Sequence, residues 1–329
     1  MIDPLSRRRS LPAGGTVAMQ TMADGWQLRS LFWPPSKPDT GSILFLTGRA
    51  DFAEKYAETF HDLVDAGWGV ATFDWRGQGM SGRVGIDAMA GDVPDGGFDS
   101  WLADLDAMVT WFHCVLPRPW FAIGHSMGGH MLQRHLAGEN AEFARAILLA
   151  PMIGLSAKPL GPPLARLVAK LMVKLGRGDN YVFGGGPYQP QASGSVRQLL
   201  LTTDPERYAD EGWWIAQNPA LALGNVTWAW LAAAFASLDA LLKPPRTLRG
   251  TGEGARSVPA LQRITTPLLV LMPDPDGLVD NDVTRRAVAT MATARLEPVP
   301  DVGHELLREA SDIRARVLAR CLDFLHKGA

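Results

Sequence analysis

The chain is poor in cysteine, with only Cys114 and Cys321 among 329 residues. A small scaffold stapled by several disulfides is therefore excluded. No C-x-x-C pair and no Cys/His cluster occurs, so nothing points to a zinc site, and no cofactor or metal is assigned. Two cysteines permit one disulfide. Both fall in apolar, helix-like stretches, and the reading here is two buried free thiols. Charge of one sign is also scarce: 32 Lys and Arg oppose 34 Asp and Glu, a formal net charge of -2. Nucleic-acid binders carry a basic excess, so no such partner is assigned.

Long apolar runs are missing as well. A membrane-spanning helix needs roughly 18 uninterrupted apolar residues. The richest stretch, Trp228 to Leu242, is shorter and contains Ser237 and Asp239. Arg7, Arg8 and Arg9 are followed by Ser10-Leu11-Pro12-Ala13-Gly14-Gly15, without the apolar segment of a secretory signal. The expectation is a cytoplasmic protein, with a peripheral membrane contact left open. No internal repeat and no low-complexity segment interrupts the chain.

What is present is a globular composition, 47% hydrophobic and 20% charged, long enough for one large α/β domain with an insertion. Val17 to Met22, the Asp24-Gly25 turn signal, and Trp26 to Phe32 read as a β-hairpin, although Leu31 breaks the alternation. From residue 42 the rhythm changes. Ile43-Leu44-Phe45-Leu46, Val70-Ala71-Thr72-Phe73, Trp120-Phe121-Ala122-Ile123, Ile147-Leu148-Leu149 and Leu268-Leu269-Val270-Leu271 are short apolar runs, as strands buried on both faces require. Leu296 to Val299 adds a further candidate. Helical spacing links Tyr56, Phe60, Leu63 and Val64, then Trp101 to Leu116, then Ile313, Val317, Cys321 and Phe324 with Ser311 as N-cap. Alternating strands and helices predict a doubly wound, mostly parallel sheet. The alternation stops after Pro151 and resumes at Pro267. The expected organisation is a core in two parts, residues 1–151 and 259–329, interrupted by a mainly helical cap over residues 152–258.

Gly124-His125-Ser126-Met127-Gly128-Gly129 carries the chemistry. A buried strand precedes this G-x-S-x-G pattern, and a helix over His130 to Ala137 follows it. A serine on a sharp strand-to-helix turn takes a strained backbone, and flanking glycines remove the β-carbons that would collide with adjacent chain. The turn exposes Ser126 as a nucleophile. It also sets the Met127 amide at a helix start, where negative charge is stabilised.

A general base is needed among seven histidines. His61, His113, His130 and His135 lie on helix-like stretches, His125 sits inside the turn, and His326 is almost terminal. His304 follows the last strand candidate, where a doubly wound sheet keeps its site, and is the expected base. In this kind of protein the acid lies between serine and histidine in the chain. The loop after Leu268 to Met272 holds Asp274, Asp276 and Asp280. Asp276 is favoured on loop position, Asp274 competes, and Asp280 is expected to cap the next helix. The second oxyanion amide is expected from Thr47-Gly48-Arg49-Ala50, at Arg49.

These segments occur in a familiar order. Thr47-Gly48-Arg49, Lys55-Tyr56, Asp74-Trp75-Arg76-Gly77-Gln78-Gly79-Met80-Ser81-Gly82-Arg83, Gly124 to Gly129 and Gly303-His304-Glu305 resemble the lysophospholipase and monoacylglycerol-lipase branch of the α/β-hydrolases. The resemblance is closest to the bacterial lysophospholipase L2-like proteins, over about residues 42–151 and 262–326. It implies an α/β-hydrolase fold whose central sheet is flanked by helices and interrupted by a cap. It further implies a serine hydrolase that cleaves carboxylic esters through an acyl-enzyme, acting on a small acyl ester or monoacyl lipid without a cofactor. Thr47 and Gln78 stand where relatives often have histidine, and Pro273 and Asp274 where glycines are usual. The Asp74 to Ser81 loop reads as a support for the oxyanion loop. Amide or thioester hydrolysis, or acyl transfer, by the same groups is the alternative. A non-catalytic binding protein is disfavoured because nucleophile, base and acid are all present, and Ser126 in place of an aspartate argues against dehalogenase or epoxide hydrolase chemistry.

In the cap, residues 163–175 read as a helix with Leu164, Leu167, Val168, Leu171 and Leu175 on one side, interleaved with Arg166, Lys170 and Lys174. Such a helix rests on a membrane interface or packs half-buried against a neighbour. Trp213-Trp214 and Trp228/Trp230, with Leu221, Leu223, Leu231 and Phe235, line an acyl pocket or form the cap's own core.

Overall fold

A computed structural model describes residues 3–85, 92–138, 142–157, 159–244 and 258–326. Eight strands form one sheet: β1 (Thr16–Thr21), β2 (Gln27–Trp33), β3 (Ser42–Leu46), β4 (Gly69–Phe73), β5 (Trp120–His125), β6 (Arg145–Leu149), β7 (Leu268–Asp274) and β8 (Ala294–Pro300). Their spatial order is β1-β2-β4-β3-β5-β6-β7-β8. The hairpin β1–β2 joins β4 in antiparallel fashion, and every other pairing is parallel. Leu31 breaks the hairpin's alternation because β2 lies between β1 and β4 and is covered on both faces.

The helices are α1 (Pro4–Arg8), α2 (Ala57–Asp65), α3 (Phe98–Val115), α4 (Met127–Leu136), α5 (Pro162–Lys174), α6 (Val196–Leu201), α7 (Pro205–Gln217), α8 (Trp228–Leu242), α9 (Asn281–Val288) and α10 (Ser311–His326). Alternate strand residues serve two cores. Leu44, Ala71, Ala122, Leu148 and Val270 face α3, α4 and α9, whereas Ile43, Phe45, Ile123, Ile147 and Leu269 face α2 and α10. Burial on both faces is why these strands read as continuous apolar runs.

Between β6 and β7 the strand–helix alternation gives way to α5, α6, α7 and α8. Residues 245–257, the end of the expected cap, lie outside the described residues. Three local expectations change. The fourth helix begins at Met127 rather than His130, because the chain turns directly out of β5 into helix. Ser311 is the first residue of α10 rather than its cap, and its hydroxyl accepts from Arg207 at 3.2 Å. Both cysteines are free, but only Cys321 is buried. Cys114 is exposed, turned away from the buried Met108, Val109 and Phe112 of the same helix.

The corner between β5 and α4 packs against β3 so closely that hydrogen is the only tolerated side chain. A β-carbon on Gly124 would stand 2.8 Å from the Gly129 Cα, and one on Gly128 would stand 2.5 Å from the Leu46 carbonyl oxygen. Backbone cannot yield as a flexible side chain does. Gly128→Ala should therefore cost about 3 kcal/mol in urea denaturation. Gly212→Ala, in the exposed middle of α7 with nothing near its missing β-carbon, should instead gain about 0.5–1 kcal/mol.

Candidate active site

Ser126 sits at this corner with φ 51° and ψ -114°, a left-handed backbone that a side chain rarely adopts. Hydrogen bonds on both sides hold it there. Its amide donates to the Leu149 carbonyl at 3.0 Å, and its carbonyl accepts from Met152 at 3.0 Å. Because α4 starts at the next residue, the Met127 amide belongs to a first helical turn, whose N–H groups have no acceptor within the helix. The positive end of the helix dipole points the same way.

The structure brings three distant side chains into one line. The Ser126 Oγ is 2.8 Å from His304 Nε2, and His304 Nδ1 is 2.7 Å from Asp276 Oδ2. The carboxylate accepts the Nδ1 proton, which leaves Nε2 to accept from the serine hydroxyl. Burial would raise the Asp276 pKa, but His304 and the Leu278 and Val279 amides outweigh it and hold the carboxyl below its ordinary value. The competing aspartates are occupied elsewhere. Asp274 pairs with Arg285 at 2.7 Å on the surface, and Asp280 caps α9 through the Asp282 and Val283 amides.

The loop after β3 carries Arg49 between two braced amides. Gly48 N–H donates to Asp51 at 2.8 Å, and Ala50 N–H donates to Gln78 Oε1 at 2.6 Å. Trp75 Nε1 donates to the Thr47 carbonyl at 2.9 Å, and Asp74 accepts from Ala53 at 3.0 Å. The loop of Asp74 to Ser81 thus supports the β3 loop through direct hydrogen bonds. Gln78, where histidine is usual, makes one of them.

Sequence reasoning missed the buried ionic cluster beneath these groups. Lys55 Nζ lies 2.6 Å from Asp51, 2.6 Å from Glu305 and 2.8 Å from Glu211 of α7. Arg308 pairs with Glu305 at 2.5 Å, and Arg197 of α6 pairs with Glu211 at 2.7 Å. Burial would raise Asp51, yet Lys55 and His125 hold it well below the ordinary range. Burial likewise opposes Glu211, yet Lys55, Arg197 and Arg308 lower it to about 2. His125 belongs here too: its Nδ1 is 2.8 Å from the Tyr56 hydroxyl and its Nε2 is 3.3 Å from the His304 carbonyl. The adjacency of His304 and Glu305, and the Lys55-Tyr56 pair, were the available signals. Pairing across 250 residues leaves no local pattern.

The histidine loop is also held by α6. His304 N–H donates to Leu200 at 3.0 Å, and Glu305 N–H donates to Leu201 at 2.7 Å. The last carbonyls of a helix lack intrahelical partners, and here the loop supplies them. A β-carbon on Gly303 would stand 2.5 Å from the Leu201 backbone.

Ser126, His304, Met127 and Arg49 open onto one cavity of about 490 Å³, within the range of small-molecule sites. Its wall is mainly apolar and includes Leu155, Val226, Trp228, Trp230 and Leu231. The two tryptophan pairs therefore divide: Trp228 and Trp230 line the cavity, whereas Trp214 donates to Arg8 O at 3.1 Å and Trp213 lies against Arg9. Leu221 packs with Phe52 and Ile215, and Phe235 packs behind the wall residue Ala165 and against Leu238. In α5 the small residues Ala165 and Ala169 are buried, and the leucine side faces outward. No helix among the described residues is long and apolar enough to cross a membrane.

A serine on a strand–helix corner of a mostly parallel sheet, with a histidine after the last strand, defines the α/β-hydrolase fold. The monoglyceride lipase of Saccharomyces cerevisiae superposes with a TM-score of 0.70 at 17% identity, covering 97% of this chain and 98% of that one. A carboxyl esterase from Bacillus coagulans gives 0.69 at 16% identity, covering 96% and 99%. Within that fold, the family model described as serine aminopeptidase, S33, matches residues 37–311, and the chain belongs to this family. The chain is 28% identical over 289 residues to a probable lysophospholipase L2 of Haemophilus influenzae, covering 86% of this chain and 83% of that protein. It is 29% identical over 303 residues to lysophospholipase L2 of Escherichia coli, covering 87% and 80%.

The ionic cluster has a defined acid sensitivity. Glu211 is depressed from 4.5 to about 2 in the folded chain, so its contribution is complete above pH 4.5 and is lost as pH falls toward 2. Glu211→Gln should cost about 3–5 kcal/mol at neutral pH by leaving Lys55 and Arg197 short of a partner. Urea melts across pH should find the variant's stability flatter than wild type through that acid window.

Proposed function

We propose that this protein is a serine hydrolase that cleaves carboxylic esters of monoacyl lipids through an acyl-enzyme. The carrying observation is the continuous hydrogen-bonded line from Asp276 through His304 to Ser126, ending at an apolar cavity. His304 takes the Ser126 proton as Oγ attacks the acyl carbonyl, and Asp276 holds the tautomer and stabilises the imidazolium. The Met127 and Arg49 amides receive the oxyanion. His304 then protonates the departing alcohol, and water activated by the same imidazole releases the fatty acid. The relatives named as lysophospholipases, and a monoacylglycerol lipase of Mycolicibacterium smegmatis at 27% identity over 84% of this chain, support a lipid ester as substrate. An aminopeptidase would need a carboxylate to hold a free amine. Among the described residues, the two that line the cavity, Asp51 and Glu305, are already neutralised by Lys55 and Arg308, which favours the ester.

Substrate delivery involves the outer face of α5. Leu167 is 63% exposed, and Leu164, Leu171 and Leu175 are also exposed, beside the exposed Lys170 and Lys174. Leu160 and Phe183 belong both to this apolar exterior and to the cavity wall. The occupant that fits apolar side chains flanked by lysines is the interface of an anionic bilayer. Replacing Leu167 and Leu171 together by Ser should reduce co-sedimentation with phosphatidylglycerol vesicles about tenfold or more while leaving hydrolysis of a water-soluble p-nitrophenyl ester intact; equal sedimentation would exclude the contact.

A fluorophosphonate probe should label the wild type and not Ser126→Ala. Asp276→Asn should lower kcat for p-nitrophenyl butyrate by about 10⁴. Asp274→Asn, which removes only a surface ion pair, should remain within about threefold of wild type. A reversed order would transfer the acid's role to Asp274.

A further inference from the structure

The Arg7-Arg8-Arg9 triplet and the Trp213-Trp214 pair take no part in the reacting line, and the fold brings them together. The three arginines lie before the matched family region, which begins at residue 37. They run between the sheet domain and α7 of the cap. Arg7 reaches α2, at 2.7 Å from both Asp62 and Asp65. Arg8 and Arg9 reach α7 instead. Both meet Asp210, at 2.7 and 2.8 Å, and Arg8 also lies 3.1 Å from Glu206. Arg9 covers the Trp213 ring at 5.0 Å, and the Arg8 carbonyl accepts from Trp214 Nε1 at 3.1 Å. The chain that follows is fastened to β2, where the Pro12 carbonyl accepts from Trp33 Nε1 at 2.8 Å. This segment is a strap anchored on the core and gripping the cap.

Burial separates the contacts that matter from the rim. Glu206 is 76% exposed, and an ion pair with such a partner contributes little. The Asp210 side chain is only 7% exposed and that of Arg8 only 11%. A carboxylate enclosed to that degree depends on its partners, and water does not replace them while the helix stays in place.

α7 carries the constraint onward. Arg207 pins its first turn to Glu58 of α2 at 2.8 Å, and Asp210 lets the strap pin the next turn. Glu211, about 100° further round the helix than Asp210, holds Lys55 at 2.8 Å and Arg197 at 2.7 Å. Two routes then reach the base. Lys55 holds Glu305, the residue after His304, at 2.6 Å. Arg197 belongs to α6 and also donates to the Tyr208 hydroxyl of α7 at 3.2 Å, and the last carbonyls of α6 accept the His304 and Glu305 amides. A displacement of α7 is therefore felt at the histidine loop from two sides, and small misplacements of a reacting group carry large losses in rate. We propose that Arg8 and Arg9 are positioning residues of the reaction, fixing α7 so that its two connections hold the His304 imidazole in line with Ser126. The assignment rests on the hydrolase reading and extends its machinery to side chains that touch neither the cavity nor the substrate.

The test measures p-nitrophenyl butyrate hydrolysis well below each variant's melting midpoint. Arg8→Gln/Arg9→Gln should lower kcat about tenfold and leave KM within about twofold of wild type. Arg8→Lys/Arg9→Lys should recover part of the loss, because it keeps the charge and loses the fork. The strap works in series from α2 to α7, so Arg7→Gln alone should lower kcat but add nothing to the Gln double variant; an additive loss would overturn the proposal. An unchanged kcat in the folded double variant would overturn it too, leaving the strap as a source of stability alone. A raised KM with kcat preserved would do the same, since the strap would then shape the cavity rather than align the base. Should the double variant not fold, Asp210→Asn keeps both arginines and should show the same loss of kcat; a value equal to wild type counts against the assignment. A wild type unlabelled by a fluorophosphonate probe would sink the hydrolase reading itself, a distinct outcome.

Discussion

The backbone at Ser126 is the constraint around which the rest is arranged. Here the left-handed residue turns the chain directly from a buried strand into a helix, and the segments on either side approach within contact of glycine hydrogens. That closeness sets α4 hard against the end of β3, and the chain leaving β3 must then pass beside the serine. The β3 loop, the first amide of α4 and the serine hydroxyl consequently share one small volume. The pinning bonds, from Ser126 N–H to the Leu149 carbonyl and from Met152 N–H to the Ser126 carbonyl, stabilise a conformation that an isolated peptide would abandon.

The buried ions beneath this corner solve a different problem. The serine corner, the β3 loop and the histidine loop are far apart in sequence, and apolar packing alone is indifferent to small shifts between them. Lys55 reaches Asp51, Glu211 and Glu305 at once, so one ammonium holds the β3 loop, α7 and the histidine loop in a fixed relation. Directional, desolvated contacts of this kind define register at a cost in net stability that an apolar cluster would not incur.

Much of the core was legible because its signals are local. Apolar runs marked the central strands, and the glycine pattern marked the corner. Ser126 and His304 stood out as the only pair with the right flanking elements. Asp276 was harder, since Asp274 and Asp280 share its loop. The structure separates the three by their partners, Arg285 for Asp274 and helix amides for Asp280, and those partners depend on where α9 begins. The outward face of α5 was legible only as one of two alternatives. Its leucines recur at helical spacing, as a core-facing stripe would, but Ala165 and Ala169 on the other side permit a closer approach to α8, and packing there prevails over side-chain size. The cluster around Lys55 and His125 was hidden, because its members come from five separate segments and carry no shared periodicity.

The hydrogen bonds from His304 and Glu305 to the end of α6 make the roof part of what positions the His304 imidazole. The covering helices cannot be exchanged as an independent module. A chimaera that grafts the roof of one relative onto the floor of another would import new carbonyl positions under the imidazole. It would change the alignment of His304 with Ser126 before it changed the shape of the apolar cavity. Substitutions in the flank around α5 and Phe183 leave both of these seam hydrogen bonds in place.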